Sequence, residues 1–211
     1  MKNWFDALAE SLSRLEGASK NQFETAFREF DEQAIEGFAE AWRDLSKSNQ
    51  IKKQVTNALD AIKEPSQEQM SFLRKWLEVL MTTIEKQDEN VRAELLSTCG
   101  AACAGHATDS FRKIRKKSDD LKDFLANMNA EMCDGGNFYH YVDENTVEIT
   151  YPKCLCPIVG FDLISSPMLC NCSRAWLKTN MEAALEKPVD VQRIFTALDG
   201  KKSCSFKITL T

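Results

Sequence analysis

Histidine is almost missing from this chain: there are two in 211 residues, His106 and His140. So few imidazoles leave little to act as a general base near neutral pH, and no Ser-His-Asp or Cys-His-Asp arrangement can be read from the sequence. Glycine and proline are sparse, at eight and five, and no Gly-rich phosphate loop occurs. No apolar run approaches the roughly 18 residues of a membrane span. A cationic excess is lacking too: the net charge of −5 gives no global basic field for nucleic acid or anionic lipid. Near the N-terminus, Asp6 and Glu10 interrupt the apolar stretch that a signal peptide would need. These absences lead to the expectation of a cytoplasmic protein with neither nucleic acid nor membrane as partner. A content of 43% hydrophobic and 28% charged residues fits a globular chain and not a disordered one.

The chain changes character near residue 135. Before it, apolar residues recur at helical spacing. Asn3 can cap a first helix carrying Trp4, Phe5, Leu8, Leu12 and Leu15 and ending at Gly17. A Phe-rich stripe follows, Phe23, Phe27, Phe30, Ala34, Phe38, Ala41 and Leu45, then Ile51 to Ile62, stopped by Pro65. Ser66 and Gln69 form a capping-box signature for a helix with Met70, Leu73, Leu77, Leu80 and Ile84. Two more helices are expected, from about Asp88 to Cys103 and from about Asp109 to Met128. The basic run RKIRKK, Arg112 to Lys117, is placed on the second of these as a solvated face, with Ile114 pointing inward.

After Gly135-Gly136 the pattern alternates. Phe138–Val142 and Thr146–Tyr151 read as one hairpin, and Val189–Phe195 and Cys204–Leu210 as another, turned at Asp199-Gly200. A helix is expected between them from Ser173 to Glu186, with Trp176, Leu177, Met181 and Leu185 inside. The predicted fold class is α+β: an N-terminal helical region followed by a four-stranded antiparallel sheet with helices packed on one face. The expected division is a helical extension over 1–64 and an α+β Cys-rich domain over 65–211.

Cysteine is what the sequence has in quantity, with eight residues. In a reducing compartment paired cysteines point first to metal or thiol chemistry, whereas in an exported protein they would pair as disulfides. Two Cys-x-Cys units, Cys154/Cys156 and Cys170/Cys172, lie 13 residues apart, with Pro157 and Pro167 expected to bend the loop that holds them. Upstream, TCGAACAGH spaces Cys99, Cys103 and His106 by four and three, on one side of a helix. Six thiols are therefore candidate metal ligands: Cys99, Cys103, Cys154, Cys156, Cys170 and Cys172. The expected ion is zinc, with an iron–sulfur cluster as the alternative. His106 is a candidate ligand or outer donor, His140 a surface or pocket residue, Cys133 structural, and Cys204 either a ligand or pocket lining. Buried structural cysteines and redox pairing are the competing readings of the same residues. Tyr139, Tyr141, Trp176 and Phe206 are candidates to line a small-molecule pocket.

The C-terminal run from Cys170 resembles the tail of the 4-vinyl-reductase-type ligand-binding domains, which are similar to TRAPP-like and haem-nitric-oxide-binding-like folds. Lys187-Pro188-Val189, Val191, Gly200, Cys204 and Phe206 carry that pattern. Over residues 90–211 the chain more closely resembles an uncharacterised bacterial Cys-rich family with CGxxC, CxCP and CxCS motifs. The matching positions are Cys99-Gly100 with Cys103, Cys154 and Cys156 with Pro157, and Cys170 and Cys172 with Ser173. The resemblance implies a sheet backed by helices, a pocket for a small apolar ligand and a nearby cysteine-ligated zinc. The expected function is a metal-containing small-molecule-binding or sensor-like module. Its alternatives are a metal-dependent hydrolase or reductase, and a helical scaffold that dimerises through its N-terminal helices.

Overall fold

The computed structural model describes residues 2–33 and 67–211. The expected helix over Ile51 to Ile62, the Ser66 cap and the Phe-rich stripe from Ala34 onward lie outside these residues. Contacts divide the chain into two compact units, one of Met1–Cys99 with Pro157–Met168, the other of Gly100–Cys156 with Leu169–Thr211.

The first unit is helical. Helix α1 (Lys2–Ser13) buries Trp4, Ala7 and Leu8, and α2 (Gly17–Gln33) buries Phe23. Helix α3 (Gln67–Glu85) buries Trp76, Leu77, Leu80, Met81 and Ile84, spaced by one to four residues along one stripe. The Gln87 amide donates to the Gln22 side chain at 2.6 Å, and the Arg74 guanidinium donates to the Asp162 carbonyl at 2.7 Å. That second bond ties the segment between the two Cys-x-Cys units to α3. Within this segment Pro157–Gly160 forms a single helical turn, α4.

Helix α5 runs unbroken from Glu89 to Lys116, where the sequence suggested two helices parted near Gly105. Ala101, Ala102, Ala104 and Ala107 supply enough propensity to carry the helix past Gly100 and Gly105, each of which costs about 1 kcal/mol against alanine. The break comes instead where Asp120 caps α6 (Leu121–Met132), its carboxylate accepting the Asp123 amide at 2.8 Å. The basic run therefore ends α5 and does not open a new helix. Lys113, Arg115 and Lys116 occupy its last turn, where cations complement the helix dipole.

The second unit contains the sheet. Strands β1 (Tyr139–Asp143), β2 (Thr146–Tyr151), β3 (Val189–Phe195) and β4 (Cys204–Leu210) are all antiparallel in the order β1-β2-β4-β3. The registers Val147–Ile208–Val191 and Tyr139–Ile149–Phe206 place these side chains on one face. Phe111 and Ile114 of α5, Phe124, Leu125 and Met128 of α6, and Leu177 and Met181 of α7 (Cys170–Leu185) share their core. Each such large apolar side chain contributes roughly 1.5–3 kcal/mol on burial. The other face carries His140, Glu148, Lys207 and Gln192 in a polar row. The expected α+β class and its helix-backed antiparallel sheet are both observed.

Two local devices hold the helices to this sheet. Asn129 of α6 sits along the outer edge of β1. Its Oδ1 accepts the Phe138 and Tyr139 amides at 2.9 and 2.8 Å, and its Nδ2 donates to the Tyr139 carbonyl at 2.8 Å. Gly100 of α5 lies against the first turns of α7: a Cβ there would collide with the Cys172 carbonyl oxygen and stand 2.8 Å from the Ala175 Cβ. Gly100→Ala should therefore destabilise the protein by about 1–3 kcal/mol, although alanine is the better helix former. Urea unfolding checks the sign. Asn129→Ala should cost about 1–3 kcal/mol through three orphaned backbone groups, read as a lowered melting temperature.

Candidate functional site

All eight cysteines are thiols, with no disulfide among them. The structure does not gather the six candidate ligands into one set. Among the described residues no group of three or more His, Cys, Asp or Glu side chains is arranged to hold a metal ion. The local conformations explain the dispersal. Cys170 and Cys172 lie in the first turn of α7, which begins right after a 3-10 turn at Pro167–Leu169, and not in a bent loop. Residues i and i+2 of a helix stand about 200° apart around the axis, so these two sulfurs cannot converge. Cys99, Cys103 and His106 do share a side of α5, but they grade from buried through half-buried to exposed.

A different set does come together at the end of the sheet. Cys204 opens β4 opposite Tyr151, the last residue of β2. Pro152 and Lys153 carry the chain past the strand end, and Cys154 packs against the core that contains Cys204. The two thiols lie within electrostatic range of each other. Cys170 lies within electrostatic range of both and close to Thr196. Thr196 begins the turn between β3 and β4, where its amide and hydroxyl donate to the Asp199 carboxylate at 2.8 and 2.9 Å. The next amide, of Ala197, donates to Cys204 Sγ at 3.3 Å. Gly200 then closes the turn at φ +79°, a conformation that favours glycine. Three thiols thus come from three elements: the loop after β2, the start of α7 and the start of β4. The sequence flagged Cys204 without deciding its role. Cys204 opens β4, which lies beside β2, the strand that leads into Cys154; that neighbourhood depends on the sheet order and not on local spacing.

Burial pushes the Cys170 and Cys204 thiols above their ordinary value, and the neighbouring thiols push the same way. For Cys170 the nearby Thr196 side chain and the Arg193 guanidinium oppose that rise. Burial likewise raises Cys103, with Cys156 adding to it, so these two thiols form a second neighbourhood. Cys133 is raised by burial beside the Phe138 amide. The donor chemistry of Cys154, Cys170 and Cys204 suits a soft ion such as zinc, whereas the sulfur positions do not yet form a coordination shell. Taking up an ion there would require the thiols to lose protons and move inward.

The four aromatic pocket candidates divide. Trp176 and Phe206 pack in the core, Trp176 edge-on to Phe111 at 5.7 Å and Phe206 near Tyr151 at 6.4 Å. Tyr139 is buried, and its phenol is raised well above its ordinary value by burial, with the nearby Tyr151 phenol adding to the rise. One edge of it, with exposed Tyr141 and His140, lines an open groove of about 390 Å³ between α6 and β1. Lys122, Leu125, Ala126 and Asn129 form the opposite wall.

Raised thiols and phenols stay protonated in the folded chain, whereas unfolding frees them to ionise near 9.0 for cysteine and 10.0 for tyrosine. Their contribution to stability is therefore complete below the lower of these values and shrinks as pH rises through them towards the folded values. Under reducing conditions the urea midpoint should fall between about pH 8 and about pH 10.5, with the loss reduced in Cys204→Ala.

No protein-family profile matches the chain, and no curated protein matches it. Among the described residues no helix is long and apolar enough to cross a membrane. Among solved structures the chain is distantly similar to a trafficking protein particle complex subunit 3 from Naegleria fowleri, solved covalently bound to palmitic acid. The identity is 16% and the TM-score 0.41, over 69% of this chain and 97% of that one.

Proposed function

We propose that this protein is a small-molecule-binding or sensor-like module whose responsive element is the thiol cluster of Cys154, Cys170 and Cys204, with zinc as the ion that the cluster takes. One observation carries the reading: three free thiols from segments far apart in sequence come within electrostatic range of one another at one end of the sheet. Zinc would supply a structural cross-brace there. Bound thiolates would tie the loop after β2 to the first turn of α7 and to the head of β4. Arg193 would offset part of the negative charge of the thiolates, and the Ala197 amide would keep the Cys204 sulfur oriented. Binding would favour the folded chain by mass action, because the unfolded chain has no such site.

The ligand class suggested for the binding function is a small apolar molecule with a polar end. The groove beside β1 offers Leu125, Ala126 and Tyr141 for apolar contact, and Lys122 and His140 for the polar end.

Zinc titration tests the metal reading. Reduced, chelator-treated protein incubated with zinc and desalted should retain about one equivalent by elemental analysis. Protons should be released on binding, and the melting temperature should rise. Cys154→Ser with Cys204→Ser should abolish retention, whereas Cys133→Ser should not. No retained zinc in the wild type, or undiminished zinc in the double variant, overturns the assignment.

A further inference from the structure

The proximity of Cys154 to Cys204 has a chemistry that needs no metal. Cys204 is fixed on three sides. It begins β4, it pairs across the sheet with Tyr151, and its sulfur accepts the Ala197 amide at 3.3 Å. It is also 5% exposed, so a bulky reagent cannot reach it directly. Cys154 is half-buried, beyond the strand end, in a stretch with no regular secondary structure and next to exposed Leu155. A more accessible thiol on a segment without regular structure thus lies near a hidden one on a fixed strand, packed against the core that holds it. That asymmetry is what a two-step disulfide exchange requires, one sulfur to meet the oxidant and one to resolve the adduct. Cys133 is engaged elsewhere, its thiol donating to the Met128 carbonyl at 3.6 Å.

We propose that Cys154 and Cys204 form a reversible regulatory disulfide, made by exchange with a low-molecular-weight disulfide and broken by the corresponding thiol. Cys154 sulfur attacks one sulfur of the oxidant, giving a mixed disulfide and releasing one small thiol. Cys204 sulfur then attacks Cys154 sulfur and releases the second. Two protein thiols are oxidised, one external disulfide is reduced to two thiols, and the two cysteine protons leave with them. The bridge would tie the end of β2 to the start of β4. It would also remove two of the three sulfurs assigned to zinc above. That consequence for zinc rests on the metal reading; the bridge itself does not.

Reduced, chelator-treated full-length protein is incubated with oxidised glutathione, alkylated, digested and mapped by mass spectrometry. The expected product is a Cys154–Cys204 cross-linked peptide that dithiothreitol removes, with two fewer titratable thiols. Cys204→Ala should instead leave Cys154 as a stable glutathione adduct, and Cys154→Ala should leave residue 204 unmodified. A bridge between other cysteines, or Cys154 stopping at the adduct in the wild type, overturns the proposal. So does a wild type with no modification at Cys154. The wild-type map alone decides even if a variant fails to fold. Zinc is then added to the reduced and to the bridged protein. Bridge formation with no zinc uptake by either form would sink the metal reading and leave the disulfide standing. Equal uptake by both forms would sever the link between them.

Discussion

Pairing β2 with β4 so that Tyr151 faces Cys204 decides the fate of nearly every side chain in the sheet. Strand side chains alternate between faces, so a slip of β2 by one residue against β4 would turn Val147 and Ile149 out towards water and Glu148 into the helices. The same register carries the head of β4 beside the exit from β2, which is how Cys154 and Cys204 meet although 49 positions separate them. The hydrophobic pattern that selects the fold thereby builds the thiol neighbourhood, with no extra device beyond the Thr196–Asp199 turn.

Much of this architecture was legible. The limits of β2, β3 and β4 followed from alternation and from turn residues, because one face of each strand is wet and the other dry. The helices were less well marked. The sequence reading parted the helix between Cys103 and Asp109, although the single glycine there is a small cost inside 28 helical residues rich in alanine. Pro167 suggested a bent loop around Cys170, whereas it starts a 3-10 turn that leads straight into α7, a place where proline's missing amide costs nothing.

The candidate site was legible in its atoms and not in its groupings. Reading Cys-x-Cys as a unit assumes that both sulfurs of a pair face one centre. A helical first turn separates Cys170 from Cys172, and Cys156 lies within electrostatic range of Cys103 while Cys154 lies within range of Cys204. Which sulfur meets which depends on sheet order and on helix docking. Both are decided by the whole core, so no local spacing rule could supply them.

Asn129 has a bearing on solubility. An outermost strand offers unpaired amides and carbonyls to any other chain that can extend alongside it, a common start of amyloid-like stacking. By occupying the Phe138 and Tyr139 amides and the Tyr139 carbonyl, one carboxamide covers the start of the outermost strand. The chain thus blunts the entry of one sheet margin with a single side chain projected from a helix.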